Sequence, residues 1–391
     1  FVDGISTQDW KALNDSPDHP MLHRAIYSTY PPGSTFKPFM ALAGLETGKR
    51  SAKQAIHDVG YFNFGGHRFM DDKIGGHGMV DLHKSIVVSC NTYYYQLAND
   101  LGIEGIAGFL APFGFGERTG IDLPGEATGV LPSPAWKRQR FKKPEQQRWY
   151  AGETISLGIG QGYNNFTILQ LANAMSTLAA KGVKHRPHLA VGRVDAVTQQ
   201  FSAINKDPGT SMGYKPENVE AVRAAVAAVT VEGTSRGIFG NAPYTSTGKT
   251  GTAQAVGVRQ NEKYNAARLS EFQRDHSLYI AYAPADNPTI AVAAIVENAG
   301  FGAAAAAPLA RRVFDYWLLG RYPSLEDMAA MRKGQAGVPI GTPRRVSEIT
   351  LDAETVNLPG LPRYEPPEAP VPVPAGRPAV LSPPSAAELE D

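Results

Sequence analysis

SLYIAYAPADNPTIAVAAIVEN, residues 277–298, holds two apolar, β-prone runs separated only by the turn-forming PADNP. A connection this short joins neighbouring strands of one sheet and leaves no room for a crossover helix. YTSTGKTGTAQAV, with alternating small and polar residues, reads as a third strand just upstream. The segments before these strands have a different period. In NNFTILQLANAMSTLAAKG, Ile168, Leu171, Met175 and Leu178 recur at helical spacing, with Gly182 as the stop. ENVEAVRAAVAAVTVEGT, from Glu217 to Thr234, is helical in the same way. GAAAAAPLARRVFDYWLLG closes as a helix, with Pro308 near its start. Helices first, strands together and a final helix describe an α+β fold, a sheet covered by helices.

The N-terminal half adds a core helix. In YPPGSTFKPFMALAGLETG, Tyr30 to Gly48, two prolines end whatever precedes, and Ser34 stands at a helix start. Pro38 is tolerated in a first turn, and Gly48 is a C-terminal stop. Phe36, Phe39, Met40, Ala41 and Ala43 cover most of the circumference, so this helix should be buried. Residues 56–80, dense in Gly, His and Asp, read as loop. A further helical pattern begins near Leu82 and carries SCNTYYYQLAND. Tyr93, Tyr94 and Tyr95 cannot share one face there and read as packing. Beyond Gly334 the composition shifts. Residues 334–391 are a Pro/Ala-rich tail expected to lack a packed structure, which leaves 1–333 as the folded domain.

Bulk properties exclude several classes. The 391 residues are 42% hydrophobic and 19% charged, enough apolar content for a substantial core. A net charge of +1 without a long basic run gives no electrostatic footprint for nucleic acid. The single cysteine, Cys90, rules out an internal disulfide. No stretch approaches the roughly 18–20 apolar residues needed to span a bilayer, and no secretory signal is present. The chain opens at Phe1, not at methionine, so it reads as a fragment whose anchor or export signal lies elsewhere.

Three short pieces carry chemistry: Ser34-Thr35-Phe36-Lys37, Ser89-Cys90-Asn91 and Lys249-Thr250-Gly251, the last followed by Thr252. A serine hydroxyl is a weak nucleophile unless a base lies within hydrogen-bond reach. Residues three apart on a helix share a face, so Lys37 can serve Ser34, and an apolar setting favours the neutral amine that a base requires. The positive helix end also lies where charge develops during attack. Glycine after a strand lysine lets a substrate backbone approach. Each piece alone has a bland reading, Ser34 as a cap and Lys37 as a snorkelling surface lysine. The three together, in this order, are a known signature of acyl-transferring serine enzymes. IGQGY, Ile159 to Tyr163, lacks the G-x-x-x-x-G-K-[ST] pattern of a phosphate cradle and reads as a turn supporting the site. Arg274, Asp275 and His276, before the strand SLYIAYA, are candidates for the cleft rim.

YPPGSTFKPF, GIDLPGE, FKKPEQQRWYAGETISLGIGQGY, GKTGTAQ, NEKYNA, RDHSLYIAYAP and AVAAIVENAG together resemble the running text of class B penicillin-binding proteins of the elongation type, over about residues 1–320. The resemblance implies the penicillin-binding protein/serine β-lactamase-like transpeptidase fold, with a mostly antiparallel central sheet. It implies that Ser34 attacks the penultimate D-alanine of a D-Ala-D-Ala stem peptide, with Lys37 as base. Ser89 would relay a proton to the leaving amine with help from Lys249, and Asn91 would hold the stem and keep Lys37 in place. Lys249, Thr250 and Thr252, around Gly251, would bind the terminal carboxylate. The backbone N–H groups of Ser34 and Thr252 would form the oxyanion hole. β-Lactams would trap Ser34. The implied partners are peptidoglycan stem peptides, a SEDS-type glycan polymerase and other elongation-complex proteins. The implied location is periplasmic, with an anchor in the inner membrane. The family also has a pedestal and an earlier sheet strand that precede this chain. A β-lactamase would need a base for deacylation, and no E-x-x-x-N loop is identifiable. A β-lactam sensor would share STFK but not the GIGQGY and FKKP text. A scaffold with a dead site would not keep the three motifs intact.

Asp58, Asp71, His77 and Cys90 are ligand-type residues within a short span, although their spacing is not that of a zinc ribbon. The GGHG loop can fold back on Cys90, and Asp, His and thiolate suit tetrahedral zinc. Against this, a lone cysteine usually packs as a small hydrophobe. Asp72, His57, His67 and His83 are competing ligands. Such a zinc would be structural, since the serine mechanism requires no cofactor.

Overall fold

The computed structural model describes residues 4–205, 207–255, 269–345 and 349. The chain divides into two compact units, one spanning Leu22–Glu348 and one combining Phe1–Met21 with Ile349–Asp391. In the smaller unit the described structure is a helix, α1 (Thr7–Asp15), whose Ser6 cap accepts the Asp9 N–H at 3.0 Å. NEKYNA and, apart from Ile349, residues 346–391 of the tail lie outside the described residues. Residues 334–345, read as the start of that tail, are held to the fold instead, with Arg344–Arg345 paired antiparallel to Arg321–Tyr322 and the Ile340 carbonyl accepting the Ser324 hydroxyl at 2.7 Å.

The larger unit is built as the changing period requires. The elements that position the site and its core are, in chain order, α2 (Lys37–Glu46), β1 (Ile56–Asp58), β2 (Tyr61–Phe64), β3 (His67–Met70), β4 (Gly78–Val80), α3 (Leu82–Val87) and α4 (Asn91–Leu110). Then come α5 (Pro134–Arg140), α6 (Ala151–Leu157), α7 (Ile168–Ala179), α8 (Pro216–Val231), β5 (Lys249–Ala253), β6 (His276–Ala283), β7 (Ile290–Val296) and α9 (Ala306–Leu319). β5, β6 and β7 form one antiparallel sheet in that order, with Lys249 opposite Ile280 and Ser277 opposite Val296.

The central strand β6 is buried on both faces, which is why Leu278 to Ala283 carry no charged or amide side chain and alternate between two apolar clusters. Leu278, Ile280 and Tyr282 point into the cluster that holds Leu171, Ala174 and Met175 of α7. Tyr279, Ala281 and Ala283 point into a second cluster with Ala306, Ala310 and Phe314 of α9. This alternation follows from the two-residue strand period. α2 is buried from Lys37 to Leu45. Phe36, just before it, packs against Phe115 and Phe166 at centroid distances of 5.4 and 5.7 Å. No helix of the described residues is long and apolar enough to cross a membrane.

Two local expectations need correction. Residues 56–80 are not all loop: β1 pairs with β4, and β2 with β3, both antiparallel. These strands are only three or four residues long, and their glycine-rich flanks mask the alternation that would reveal them. The helical pattern from Leu82 is also not continuous. It breaks at Val88-Ser89-Cys90, where Ser89 takes the left-handed backbone conformation at φ 59°. That conformation costs a non-glycine residue about 1–3 kcal/mol, so the surrounding structure must impose it. Tyr93, Tyr94 and Tyr95 beyond the break are all buried.

Candidate active site

Ser34 lies in a single 3-10 turn, Gly33–Phe36, that runs directly into α2, rather than in the α-helix itself. In a 3-10 turn the side chains at i and i+3 eclipse, so Ser34 and Lys37 stand on one edge. Ser34 is partly exposed and Lys37 is fully buried. Gly33 has φ 52°, and any side chain there would collide with the Thr252 carbonyl. The turn therefore lies directly against β5.

The two other motifs converge on the same place. Lys37 Nζ donates to the Ser89 carbonyl at 2.7 Å, to Asn91 Oδ1 at 2.6 Å and to Ser89 Oγ at 3.2 Å. These bonds go to the Ser89–Asn91 segment, whereas the helical spacing predicts a bond to Ser34. Lys249 Nζ donates to Ser89 Oγ at 2.8 Å and to the Thr250 carbonyl at 3.1 Å. One hydroxyl thus sits between two fully buried amines. The left-handed turn at Ser89 makes this geometry, aiming its carbonyl and hydroxyl at one amine. Burial pushes the Lys37 amine below its ordinary value, while the charges of Asp72, Cys90 and Asp71 oppose the shift. Burial also pushes the Lys249 amine well below its ordinary value, assisted by the positive charge on Lys37 and opposed by Asp72. Two adjacent ammonium groups without water are unfavourable, so the site favours neutral amine. A neutral lysine has a lone pair to take a proton, and Ser89 Oγ accepts from both amines, so its own proton is free to be passed on.

The edge of β5 away from β6 completes the cleft. A strand residue points its N–H and C=O to the same side. The Thr252 carbonyl and nitrogen both face Gly33, so its N–H opens toward the nucleophile turn. Gly251 has Thr35 and the Pro32 carbonyl where a side chain would stand. Thr250 Oγ1 is 2.8 Å from Thr234 Oγ1. The IGQGY segment is indeed a turn against the site. The Gly160 carbonyl accepts the Gly33 N–H at 3.0 Å, and Gln161 Nε2 donates to the Thr252 carbonyl at 3.1 Å. Thr234 carries no motif signal, whereas Gln161 lies inside the IGQGY segment that reads as a supporting turn, although nothing in that pattern assigns its side chain a role. Of the rim candidates, Arg274 and His276 hold the turn after β7: the Arg274 carbonyl accepts from Asn298 Nδ2 and His276 Nδ1 from the Asn298 N–H, each at 3.0 Å. Asp275 is buried.

Asp58, Asp71, His77 and Cys90 come together, their ligand atoms all within 4.8 Å of one another. His77 Nδ1 is 2.9 Å from Asp58 Oδ2 and 3.5 Å from Asp71 Oδ1. Cys90 Sγ lies 3.5 Å from Asp58 and 3.4 Å from Asp71. Burial alone would raise the Asp58 carboxyl, but hydrogen bonds from the Gly60 N–H, Thr92 and His77 hold it at about 2. Burial pushes the Cys90 thiol far up, and the Asp71 and Asp58 charges add to the shift. Two buried carboxylates beside a thiol are the donor set that a divalent cation resolves, because it cancels the repulsion and takes the thiolate. Asp71 Oδ2 also accepts the Asn91 and Thr92 N–H groups at 2.6 and 2.9 Å, tying the cluster to the start of α4. Asp72, His57, His67 and His83 are exposed and stand outside the cluster.

Comparison with known proteins follows the same lines. The family model described as the penicillin binding protein transpeptidase domain matches residues 4–315. Peptidoglycan D,D-transpeptidase MrdA of Acinetobacter baumannii is 44% identical over 325 residues, covering 82% of this chain and 47% of that protein. The structure of Pseudomonas aeruginosa PBP2 in complex with WCK 5153 superposes with a TM-score of 0.69 at 39% identity, covering 81% of this chain and 65% of that one. Helicobacter pylori PBP2, solved as a complex with MreC, gives a TM-score of 0.69 at 30% identity, covering 81% of this chain and 55% of that one. The chain spans about half the length of the curated relatives it matches.

Proposed function

The chain belongs to the penicillin-binding protein transpeptidase family, and from that premise we propose that it catalyses peptidoglycan D,D-transpeptidation of the elongation type. The observation that carries this reading is the Ser89 hydroxyl held between Lys37 and Lys249, beside the Ser34 turn. In the proposed reaction Ser34 Oγ attacks the carbonyl carbon of the penultimate D-alanine, and its proton passes to neutral Lys37. The developing oxyanion is met by the Ser34 and Thr252 N–H groups. The C–N bond then breaks, and the terminal D-alanine leaves as an amine that takes a proton through Ser89, with Lys249 supporting the transfer. An acceptor amine attacks the acyl-enzyme, its nitrogen bonds to the carbonyl carbon, and Ser34 leaves with the amine's proton. A β-lactam opens its ring amide in the first half of this sequence, but its leaving nitrogen stays tethered and the adduct persists.

The substrate's terminal carboxylate is assigned to Lys249, Thr250 and Thr252. Thr234 orients the Thr250 hydroxyl for this purpose. Thr234→Val should therefore weaken the noncovalent capture of a penicillin by about 3–10-fold while leaving the subsequent acylation step nearly unchanged. Progress curves at several drug concentrations separate the two constants, and a loss confined to the chemical step would contradict the assignment.

The reading extends to a periplasmic location, where stem peptides are cross-linked, and to elongation-complex partners including a glycan polymerase. Support for the partners comes from the Helicobacter pylori relative solved with MreC. Zinc held by Asp58, Asp71, His77 and Cys90 is also part of the proposal. It would supply cross-linking between the β1–β4 hairpins and α4, and Ser34 chemistry proceeds without it.

The deciding experiment is intact-mass spectrometry of the protein with a penicillin over an hour, followed by a cross-linking assay on stem-peptide substrate. One lasting drug mass together with cross-linked product is the expected result. An adduct that vanishes while the drug is hydrolysed would make the protein a β-lactamase. A lasting adduct without cross-linking would make it a sensor, and absence of any adduct would remove Ser34 as an activated nucleophile.

A further inference from the structure

We infer that Gln161 is a positioning residue for the oxyanion-binding N–H of Thr252, an inference that rests on the transpeptidase reading. Its amide donates to the Thr252 carbonyl at 3.1 Å, across 91 residues of chain. The N–H of Thr252 lies on the same side of β5 as that carbonyl, so a bond that anchors the carbonyl also fixes where the N–H points. An oxyanion hole works only if its donors are already aimed before charge develops.

Gln161 is itself held. Its N–H donates to the Ser156 carbonyl at 3.2 Å, and the flanking Gly160 and Gly162 have φ 74° and 73°. Gly160 has the Gly33 carbonyl where a side chain would stand, so the Gln161 turn and the nucleophile turn are in backbone contact. Behind them, Tyr163 OH donates to Glu153 Oε1 at 3.2 Å, and buried Lys137 donates to Glu153 Oε2 at 2.6 Å and to the Arg148 carbonyl at 2.8 Å. This network ties α5 and α6 to the turn. One short segment thus reaches both halves of the oxyanion hole: Gly160 grips the Ser34 turn, and Gln161 grips the strand of Thr252. Removing the amide donor leaves the strand free to shift by tenths of an ångström, which catalysis registers and folding does not.

The test compares wild type, Gln161→Met and Gln161→Glu by acylation kinetics with a fluorescent penicillin, resolving the binding constant from the acylation step. Gln161→Met keeps the volume and loses the donor. It should slow the acylation step about tenfold, with binding and melting temperature nearly unchanged. Gln161→Glu cannot donate when ionised, so its rate relative to wild type should recover as pH falls toward the ordinary glutamic acid value of about 4.3. Such recovery is not expected of a merely structural side chain. Wild-type acylation rates in Gln161→Met, or a loss accompanied by an equal drop in melting temperature and binding with no pH recovery in Gln161→Glu, would overturn the inference. Failure of wild type to acylate would instead overturn the transpeptidase reading, and this one with it.

Discussion

Lys37→Met slows acylation by a penicillin about a thousandfold, the loss expected when a general base is removed from a buried site. Methionine fills much of the same volume, so the comparison isolates the amine. The pH profile is the sharper measurement. Lys37 acts as base only when neutral, and burial lowers its proton affinity below the ordinary 10.5. The wild-type acylation rate therefore rises with pH, as the folded amine loses its proton, and levels off below the value of a free lysine. The variant shows no such rise. Folding carries the same sign. The unfolded lysine keeps its proton up to about 10.5 and the folded one releases it earlier, so the unfolded state binds more protons between the two values. The contribution of this residue to stability accordingly increases with pH across that window. A Lys37→Met protein that acylates at wild-type rate, or a wild type with a flat profile, would assign the base to another group, with Lys249 next in line. Ser34→Ala is the companion, in which no drug mass is added at all.

Chelation is expected to lower the melting temperature by about 8 °C. A ligand at a thousand times its dissociation constant stabilises the folded state by about 4 kcal/mol, and a domain of this size shifts by about 2 °C per kcal/mol. Added zinc restores the loss. Cys90→Ala, which removes the thiolate, melts low with or without zinc. Native mass spectrometry should count one zinc in wild type and none in the variant. The protection fades as pH falls, because the Cys90 thiol, pushed up by burial, must release its proton to bind metal. If zinc-supplemented and chelated protein melt together and no metal is retained, the cluster is a buried hydrogen-bond network and nothing more.

The cluster also shows how far reading along the chain reaches. Ligand identity and a Gly-rich loop made Asp58, Asp71, His77 and Cys90 a coherent set, and the structure does gather them. The same segment hid its hairpins, because strands of three residues carry too little pattern to read. Ser34 and Lys37 were legible as a pair because three residues along a helical turn fix their relation locally. Lys249-Thr250-Gly251 was legible because strand alternation is local too.

Features that depend on neighbours a few residues away are legible along the chain: the periods of helices and strands, the stops at Gly48 and Gly182, and the motif pieces. How those pieces meet depends on packing between distant segments. Lys37 reaches across 52 residues and Lys249 across 160 to the same Ser89 hydroxyl. The left-handed backbone at Ser89, the break between α3 and α4, and the Gln161 bond to Thr252 exist because packing over-determines them, against or without local preference. Local chemistry ranks the conformations of a short segment, but only burial of the whole core selects among distant pairings. It brings two buried amines to one hydroxyl, and burial lowers the proton affinity of both.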